Sequence, residues 1–327
     1  MKQKNVKIFV SHRIDLKSVL IDNPIYVPVQ CGAVFGNDCS ALGLQRDDDG
    51  DNISNKRLSF CEFTVQYWAW KNVAADYYGL CHYRRYLSFS SRRFPTNEHN
   101  MIVAPILNKR WIKRLELNNP RTMLNTITDC DIVVSEYSQV EKIPTKVGKC
   151  LTVRELWESY DGIFFEKSSI DLLFQLIDKM HPEYSDSARE YFSGNKNRGY
   201  NCYIMKKEFF FELCQFQFDI LFEVEKRIST EGYTPMMLRT PAYLGEILYG
   251  IFVYHLEKQG RTKIKTVQLA FFKETKATNT IFQKIWQYFR VYGEISLRAA
   301  FDPFFPLGSK RREYVKRCFF RLAHIQK

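Results

Sequence analysis

Residues 82–86 read His-Tyr-Arg-Arg-Tyr (HYRRY), a combination of side chains that could bind an anion. The apolar and aromatic run 77–81 predicts a buried strand, so two fixed positive charges stand where that strand would normally continue. Arginine offers a planar fork of N–H donors that fits phosphate. Surface salt bridges would also explain the arginines, but so many polar side chains directly after a buried strand favour an anion site. Because successive strand side chains point to opposite faces, we expect only one of Arg84 and Arg85 to face a given pocket.

A single carboxylate, Glu246, lies within an otherwise apolar helix predicted for residues 241–258. An apolar setting raises the pKa of a carboxyl group, which would suit a general base. A structural role, as a helix cap or as the ion-pair partner of Arg239, would explain Glu246 as well. The residues alone favour that structural role.

The acidic segment 47–51 (DDDGD) superficially resembles a calcium-binding loop. It lacks the regular ligand alternation and the terminal glutamate of such a loop, so we expect a solvated segment. Its last residue and those that follow, Asp51, Asn52 and Ser54, carry side chains that could bind a nucleobase or a ribose. Turn formation alone would explain them about as well.

Several common chemistries are disfavoured by missing motifs. The chain has no P-loop, GxGxxG, HExxH or GxSxG pattern. Its nine cysteines are scattered singly without a CxxC pair, which favours buried reduced thiols over zinc or disulfides. There is no apolar stretch of transmembrane length, and the first ten residues lack the features of a signal peptide. We therefore expect a cytosolic protein.

The order of predicted elements indicates an α/β fold. Residues 7–12 and 25–30 are predicted strands, and the run 77–81 that leads into HYRRY is a third. Ser59 with Glu62 three residues later matches a capping box, which predicts a helix beginning there and ending near residue 72. Ligands bind beyond the carboxyl ends of strands in such sheets, so His12 and the HYRRY segment should converge on one site.

The positive charge is concentrated in the last part of the chain. The net charge is +12, and residues 276–327 contain eleven Lys/Arg against three Asp/Glu, so they carry +8 and residues 1–275 carry +4. We predict a globular domain over 1–275 and a basic, aromatic helical tail over 276–327. Such a tail could meet nucleic acid or an anionic membrane surface, although a solvated basic helix face would have the same composition.

Seven segments together closely resemble one protein family over about residues 6–256. They are KIFVSH, YVPVQCGA, GDNIS, FCEFTVQYWAWKN, YYGLCHYRRYL, NRGYNCYIMKKEFFFELC and RTPAYLGEIL. The family is a domain of unknown function found in capsular-polysaccharide glycosyltransferases, and it includes bacterial galactofuranosyltransferases. The resemblance implies a GT-A-like (Rossmann-like) nucleotide-sugar-binding domain with a helical C-terminal extension. It also implies a UDP-sugar donor and a lipid-linked or oligosaccharide acceptor in the synthesis of capsule or other surface polysaccharide.

The resemblance gives HYRRY a specific place in the fold. In GT-A enzymes the corresponding strand ends in an Asp-x-Asp metal motif, and here HYRRY occupies that position. Two carboxylates need a divalent cation to hold a diphosphate, whereas arginines can neutralise it directly. We therefore expect an inverting transferase that needs no metal or other cofactor, in which Arg84, Arg85 or both stabilise the leaving UDP.

The resemblance also assigns the remaining site residues. Glu246 becomes the base that deprotonates the acceptor, with His82 as a second catalytic candidate and Asp131 and Asp161 in reserve. The residues expected near the nucleotide are His12, Asp51, Asn52, Ser54, Tyr83, Arg84 and Arg85. Those expected near the donor sugar or the acceptor are Arg198, Tyr200 and Asn201. Residues 157–165 read WESYDGIFF where the family often carries histidines, which leaves the acceptor and the linkage open.

Synthesis on a lipid-linked acceptor would take place at the inner face of the cytoplasmic membrane, where the basic tail could dock peripherally. Phe304, Phe305, Phe319 and Phe320 are the expected apolar contacts, and packing of the tail on the catalytic domain is the alternative. A retaining mechanism or another donor on the same fold remains open. So does a nucleic-acid-binding protein, although the nearly neutral body disfavours it.

Overall fold

The computed structural model describes residues 4–305 except residue 16, together with residues 311, 312, 314 and 315. The strands in this part of the chain are β1 (Val6–His12), β2 (Tyr26–Gln30), β3 (Gln45–Arg46), β4 (Tyr77–His82), β5 (Arg85–Leu87), β6 (Met101–Ile106), β7 (Ile132–Ser135), β8 (Ser138–Gln139), β9 (Lys196–Asn197), β10 (Tyr203–Lys206), β11 (Ile264–Val267) and β12 (Leu269–Glu274). The α-helices are α1 (Arg57–Phe60), α2 (Phe63–Asn72), α3 (Lys109–Arg114), α4 (Pro120–Thr128), α5 (Val153–Glu158), α6 (Ser168–Met180), α7 (Ser185–Ser193), α8 (Lys207–Arg227), α9 (Thr240–Gln259) and α10 (Ile281–Phe301).

The central sheet is mostly parallel, with the order β11-β7-β10-β4-β1-β2-β3. β1 runs parallel to both β2 and β4, whereas β10 is antiparallel to its neighbours β4 and β7. In register, Ser11 of β1 lies opposite His82 of β4, and His12 lies opposite Gln30 of β2. The carboxyl ends of β1 and β4 therefore meet at one edge of the sheet, as the α/β prediction requires.

Both faces of the sheet are covered, which explains why its strands are apolar on both sides. Phe9 packs on one face, in the cluster that contains residues of α2, α8 and α9. Ile8 and Val10 pack on the other face with residues of β5, β6, β12 and α4. Each fully buried side chain of this size stabilises the fold by roughly 1.5–3 kcal/mol relative to an exposed one.

The HYRRY segment forms a hairpin and does not extend a strand. β4 ends at His82, residues 83 and 84 form a two-residue turn, and β5 begins at Arg85, which pairs with His82. The prediction that Arg84 and Arg85 are successive residues of one strand is therefore wrong. Their side chains diverge because one lies in a turn and the other on a strand that pairs with β12.

The capping box predicted at Ser59 is also absent. Ser59 lies inside α1 and its hydroxyl donates to the carbonyl of Lys56. The helix is interrupted at Cys61, which has a φ of 49°, and α2 begins at Phe63. Glu62 lies at this interruption, where its side chain is free of helix capping.

Within the helical tail predicted for residues 276–327, α10 spans Ile281–Phe301. α10 is held to the body by the buried Val291 and by an ion pair between Arg290 and Glu274. Further along this tail, residues 311, 312, 314 and 315 are also helical. Phe319 and Phe320 lie outside the described residues. None of the helices in the described residues combines the length and the apolar content needed to cross a bilayer.

Candidate active site

A cavity of about 760 Å³ opens at the carboxyl ends of β1 and β4 and is bounded on the opposite side by the first turns of α9. Sequence-predicted residues from four separate segments line it: His12, His82, Tyr83, Arg84, Arg85, Tyr200 and Glu246. The expected convergence of His12 with HYRRY is therefore present in the fold. A cavity of this volume is within the range that holds a small-molecule ligand.

The charge that lines the cavity is predominantly positive. Its cationic side chains are Arg13, Arg57, Arg84, Arg85 and Arg239. Its carboxylates are Glu62 and Glu246. Arg13 is already paired with Asp15 outside the cavity, which leaves four arginines against two acids. The excess of guanidinium groups suits an anionic ligand such as a diphosphate.

The two arginines of HYRRY have different surroundings. The Arg84 guanidinium donates to the backbone carbonyls of Phe272 and Lys273 at 3.3 Å each, which ties the hairpin turn to β12. The Arg85 guanidinium lies over the Tyr200 ring at 4.3 Å, and its Nε has no hydrogen-bond partner. Arg85 therefore has more donors to offer a ligand than Arg84, because its guanidinium makes no hydrogen bond to the described residues, whereas two of the three Arg84 nitrogens are already bonded.

Glu246 has the environment of a carboxyl group with an elevated pKa. Burial, with the like charge of Glu62 adding to it, raises the pKa of Glu246 to about 7. Arg85 and the backbone N–H of Tyr200 act in the opposite direction, since both favour the carboxylate. No ion pair joins Glu246 to Arg239 among the described residues, so the expected structural pairing is absent. A pKa near neutrality is suited to proton transfer at neutral pH.

Two residues with left-handed backbone flank the two carboxylates. Cys61 has a φ of 49° and precedes Glu62, and Tyr200 has a φ of 67° and directs its N–H toward Glu246. Non-glycine residues in this region cost of order 1–3 kcal/mol and tend to cluster at functional sites. The Tyr200 hydroxyl also lies 3.4 Å from Nδ1 of His99, and that contact helps to hold its ring under Arg85.

Two histidines of the cavity, His12 and His82, are held neutral. Burial lowers the pKa of His12 to about 4. Burial and the adjacent charges of Arg85 and Arg84 keep the pKa of His82 well below its ordinary value. The backbone N–H of Arg84 donates to Nδ1 of His82 at 3.3 Å, so the hydrogen of this neutral ring is on Nε2. His82 can thus donate a hydrogen bond but does not supply a second positive charge.

The loop residues Asp51, Asn52 and Ser54 are absent from the cavity lining. The backbone of Asp51 bonds to Asn72 in both directions, at 3.0 and 2.7 Å, which fastens the loop to the end of α2. The Asn52 side chain donates to the carbonyl of Gly50 and accepts from the backbone N–H of Ser54. These contacts are those of a turn, the alternative that the sequence had left open.

The expectation that the acidic segment is solvated is wrong for Asp47. It is fully buried and accepts hydrogen bonds from the backbone N–H groups of Gly32 and Ala33 and from the hydroxyls of Ser54 and Thr64, at 2.6–2.8 Å. Gly32 has a φ of 71°, and a Cβ there would collide with the side chain of Arg57. Asp47 therefore organises the loop after β2 that lets Arg57 reach the cavity.

Arg198 and Asn201 are buried beside the cavity and do not line it. Arg198 is paired with Glu257 at 2.8 Å, donates to the carbonyl of Ser135 and lies over the Tyr137 ring at 3.7 Å. Asn201 donates to Glu62 at 3.3 Å. Arg198 thus braces the chain before Tyr200, and Asn201 orients Glu62.

The reserve acids Asp131 and Asp161 have partners elsewhere. Asp131 forms an ion pair with Lys206 and accepts from the backbone of Lys263, and Asp161 accepts from the backbone of Lys167. Neither lines the cavity. Among the residues that the structure describes, no three His, Cys, Asp or Glu side chains are grouped in a way that could hold a metal ion.

Some cavity residues were not predicted from sequence. Glu62 was interpreted as a helix-capping residue, and Arg57 was not singled out. The aromatic residues Trp157, Tyr160, Phe164 and Tyr243 form a further part of the lining. The aromatic density of residues 157–165 was the signal that could have found three of them.

The chain is similar to known proteins in sequence and in fold. The family model described as Domain of unknown function (DUF4422) matches residues 7–259. Among solved structures, the chain is similar to the apo structure of WbbM, a bifunctional glycosyltransferase, with a TM-score of 0.74 and 28% sequence identity. The match covers 85% of this chain and 48% of the WbbM chain, so this chain spans about half the length of that protein. No curated protein matches the chain. The likeness confirms the predicted GT-A-like α/β fold.

Proposed function

Because the chain belongs to the DUF4422 family, we propose that it is a glycosyltransferase that uses the cavity beside HYRRY. The donor is a UDP-sugar, with galactofuranose as the sugar that the family resemblance favours. The acceptor is a lipid-linked or free oligosaccharide in bacterial surface-polysaccharide synthesis. One observation supports the proposal most strongly: Arg85 lines the same cavity as Glu246. Arg85 has free hydrogen-bond donors, and the pKa of Glu246 is about 7.

The positive wall of the cavity is the proposed donor side. Arg85 donates to the diphosphate, and Arg57 and Arg239 add positive charge around it. His12 lines the cavity at the end of β1, where it is 2% exposed and its Nδ1 lacks a partner among the described residues. The arginines do the work that a divalent cation does between two carboxylates, so no metal is required.

The proposed reaction is a single displacement with inversion. An acceptor hydroxyl oxygen attacks the anomeric carbon, and its proton passes to the carboxylate of Glu246. The bond between the anomeric carbon and the β-phosphate oxygen breaks, and its electron pair leaves with UDP. Arg85 stabilises the negative charge that develops on that oxygen, an interaction stronger in the transition state than in the ground state.

A ligand screen tests the proposal. We expect UDP to raise the thermal unfolding temperature more than GDP, CMP or TDP, since a ligand that binds only the folded state stabilises it. UDP-sugars should then be assayed for release of UDP. If none of the four nucleotides stabilises the protein, and random DNA binds in a salt-sensitive manner, the nucleic-acid-binding alternative replaces the proposal.

Metal independence is a separate prediction. In excess EDTA we expect the rate of UDP release or transfer to stay within about twofold of the untreated rate, because guanidinium groups supply the charge stabilisation. The measurement is a turnover assay with EDTA, repeated after adding Mn²⁺ or Mg²⁺. Strict dependence on either ion would contradict the role given to the arginines.

The tail supports a further part of the proposal, peripheral docking at an anionic membrane surface. Large apolar side chains at positions 281, 282, 285, 286 and 289 recur at helical spacing on α10, and Phe282, Trp286 and Phe289 are 80%, 72% and 70% exposed. The segment 276–327 carries +8. An apolar helix face within a basic segment is the pattern of a helix that lies in the interface of anionic lipids.

We expect the full-length protein to co-sediment with phosphatidylglycerol-containing vesicles and not with neutral phosphatidylcholine vesicles. Combined Phe282→Ser, Trp286→Ser and Phe289→Ser substitutions should lower the bound fraction at least about tenfold, because three rings no longer enter the interface. Phe35→Ser, at an exposed aromatic residue outside the tail, is the matched control. Equal sedimentation of the triple variant and the wild type would contradict docking through α10.

A further inference from the structure

One wall of the cavity is aromatic and uncharged. Phe164 stacks on Tyr160 at 4.6 Å between ring centroids and on Tyr243 at 4.3 Å, and Trp157 meets Tyr160 edge-on at 6.1 Å. All four line the cavity. Tyr160, Phe164 and Tyr243 are half-buried. The wall therefore presents ring surface to the cavity.

This aromatic wall is adjacent to Glu246. Burial raises the pKa of both Tyr160 and Tyr243, and the charge of Glu246 contributes to each shift, so both phenols lie near that carboxylate. Tyr243 is on the same helix as Glu246, one turn before it. The cationic side chains Arg84 and Arg85 come from the opposite element, the β4–β5 hairpin. The cavity thus has the two arginines of the hairpin on one side and the aromatic wall on the other, where Arg239 lies beside Tyr243, and Glu246 lies between the two sides.

The Tyr160 hydroxyl is not enclosed, and it has no hydrogen-bond partner among the described residues. The Trp157 indole N–H is enclosed and also lacks a partner. A wall of rings with a few uncommitted polar groups is the usual composition of a site for a ligand that is apolar on one face and hydroxylated at its edge. A pyranose ring in the chair form has that character, with C–H bonds on one face and hydroxyls around its rim.

We propose that the aromatic wall formed by Trp157, Tyr160, Phe164 and Tyr243 binds the terminal pyranose of the acceptor. The inference rests on the proposed function, in which Glu246 takes the proton from an acceptor hydroxyl. In that function the acceptor hydroxyl lies at Glu246 and the diphosphate lies at the arginines. The acceptor ring must then lie on the other side of Glu246, which is the side of the aromatic wall. Stacking on the rings of Tyr160 and Tyr243 would hold the sugar ring.

The test uses methyl β-D-galactopyranoside and methyl β-D-glucopyranoside as probes, added to the full-length protein saturated with UDP. Saturation-transfer NMR gives their affinities for the wild type and for three variants. We expect Tyr160→Leu to weaken binding of at least one probe about fivefold, since an aromatic contact contributes roughly 0.5–1.5 kcal/mol. Tyr160→Phe keeps the ring and should stay within about twofold of the wild type.

Tyr254→Leu is the matched control, since Tyr254 lies on the same helix as Tyr243 and does not line the cavity. It should bind both probes like the wild type. The inference is overturned if neither probe binds the wild type, or if Tyr160→Leu binds them equally well. UDP is monitored in the same samples. Bound UDP without bound glycoside contradicts the acceptor site alone, whereas absence of both contradicts the proposed function as well.

Discussion

Replacing Glu246 by glutamine is expected to lower kcat for sugar transfer by about 10³-fold, the midrange of a lost general base. Glutamine has nearly the same shape but cannot accept the proton of the acceptor hydroxyl. Because Glu246 is not expected to touch the nucleotide, the affinity for UDP should stay within about twofold. The checks are a single-turnover transfer assay and a UDP titration, with thermal unfolding to verify the fold. Near-wild-type turnover by a folded Glu246→Gln protein would exclude Glu246 as the base.

The pH profile gives a second readout of the same role. A base must be deprotonated, so the wild-type rate should rise with pH through about 7, where Glu246 loses its proton. Glu62→Gln removes a like charge that raises the pKa of Glu246, so the midpoint of that rise should move to lower pH. A midpoint that Glu62→Gln leaves in place, or moves to higher pH, would contradict the coupling between the two carboxylates.

Arg85→Ala is expected to lower kcat/KM by about 10²–10³-fold, the effect of removing one donor that stabilises charge in the transition state. Arg85 has an unpartnered Nε and a guanidinium held on the Tyr200 ring, so it is oriented before any ligand arrives. Arg85→Lys keeps the charge and loses the planar fork, and we expect it to recover only part of the activity. The measurement is kcat/KM for the UDP-sugar.

Arg84→Ala is the neighbouring control. Arg84 is bonded to the carbonyls of Phe272 and Lys273, so its loss should lower the thermal unfolding temperature more than Arg85→Ala does. Its effect on kcat/KM should be at least about tenfold smaller than that of Arg85→Ala, as the two groups do not do the same work. Equal kinetic losses in the two variants would contradict the division of roles.

The fold class was predictable because the apolar runs indicate strands and helices, and the order of these elements along the chain indicates an α/β fold. Residues 7–12 and 77–82 are apolar on both faces, and strands of that kind belong inside a covered, mostly parallel sheet. The carboxyl-end rule then brought His12 and HYRRY together without any knowledge of the ligand. The antiparallel placement of β10 between β4 and β7 depends on long-range pairing that no local pattern in residues 203–206 reveals.

The site was less predictable because its details depend on backbone breaks. Glu62 matches a capping box in sequence, yet the helix is interrupted at Cys61 and the carboxylate faces the cavity. Asp47 is one of several similar acids, and only the tertiary fold supplies the four donors that bury it. Arg198 was expected near the donor sugar or the acceptor, but it is paired with Glu257, which is 59 residues away along the chain. The spacing of residues along the sequence does not reveal such pairings.

The central claim is that the HYRRY hairpin brings Arg85 to the diphosphate of a nucleotide sugar. The most direct measurement is calorimetric titration of UDP and UMP, in EDTA, into the wild type and Arg85→Ala. We expect the wild type to bind UDP at least about tenfold more tightly than UMP and Arg85→Ala to bind the two alike, since a charge-assisted hydrogen bond contributes about 1.5–3 kcal/mol. Equal affinities for UDP and UMP in the wild type, or an undiminished preference in Arg85→Ala, would contradict the central claim.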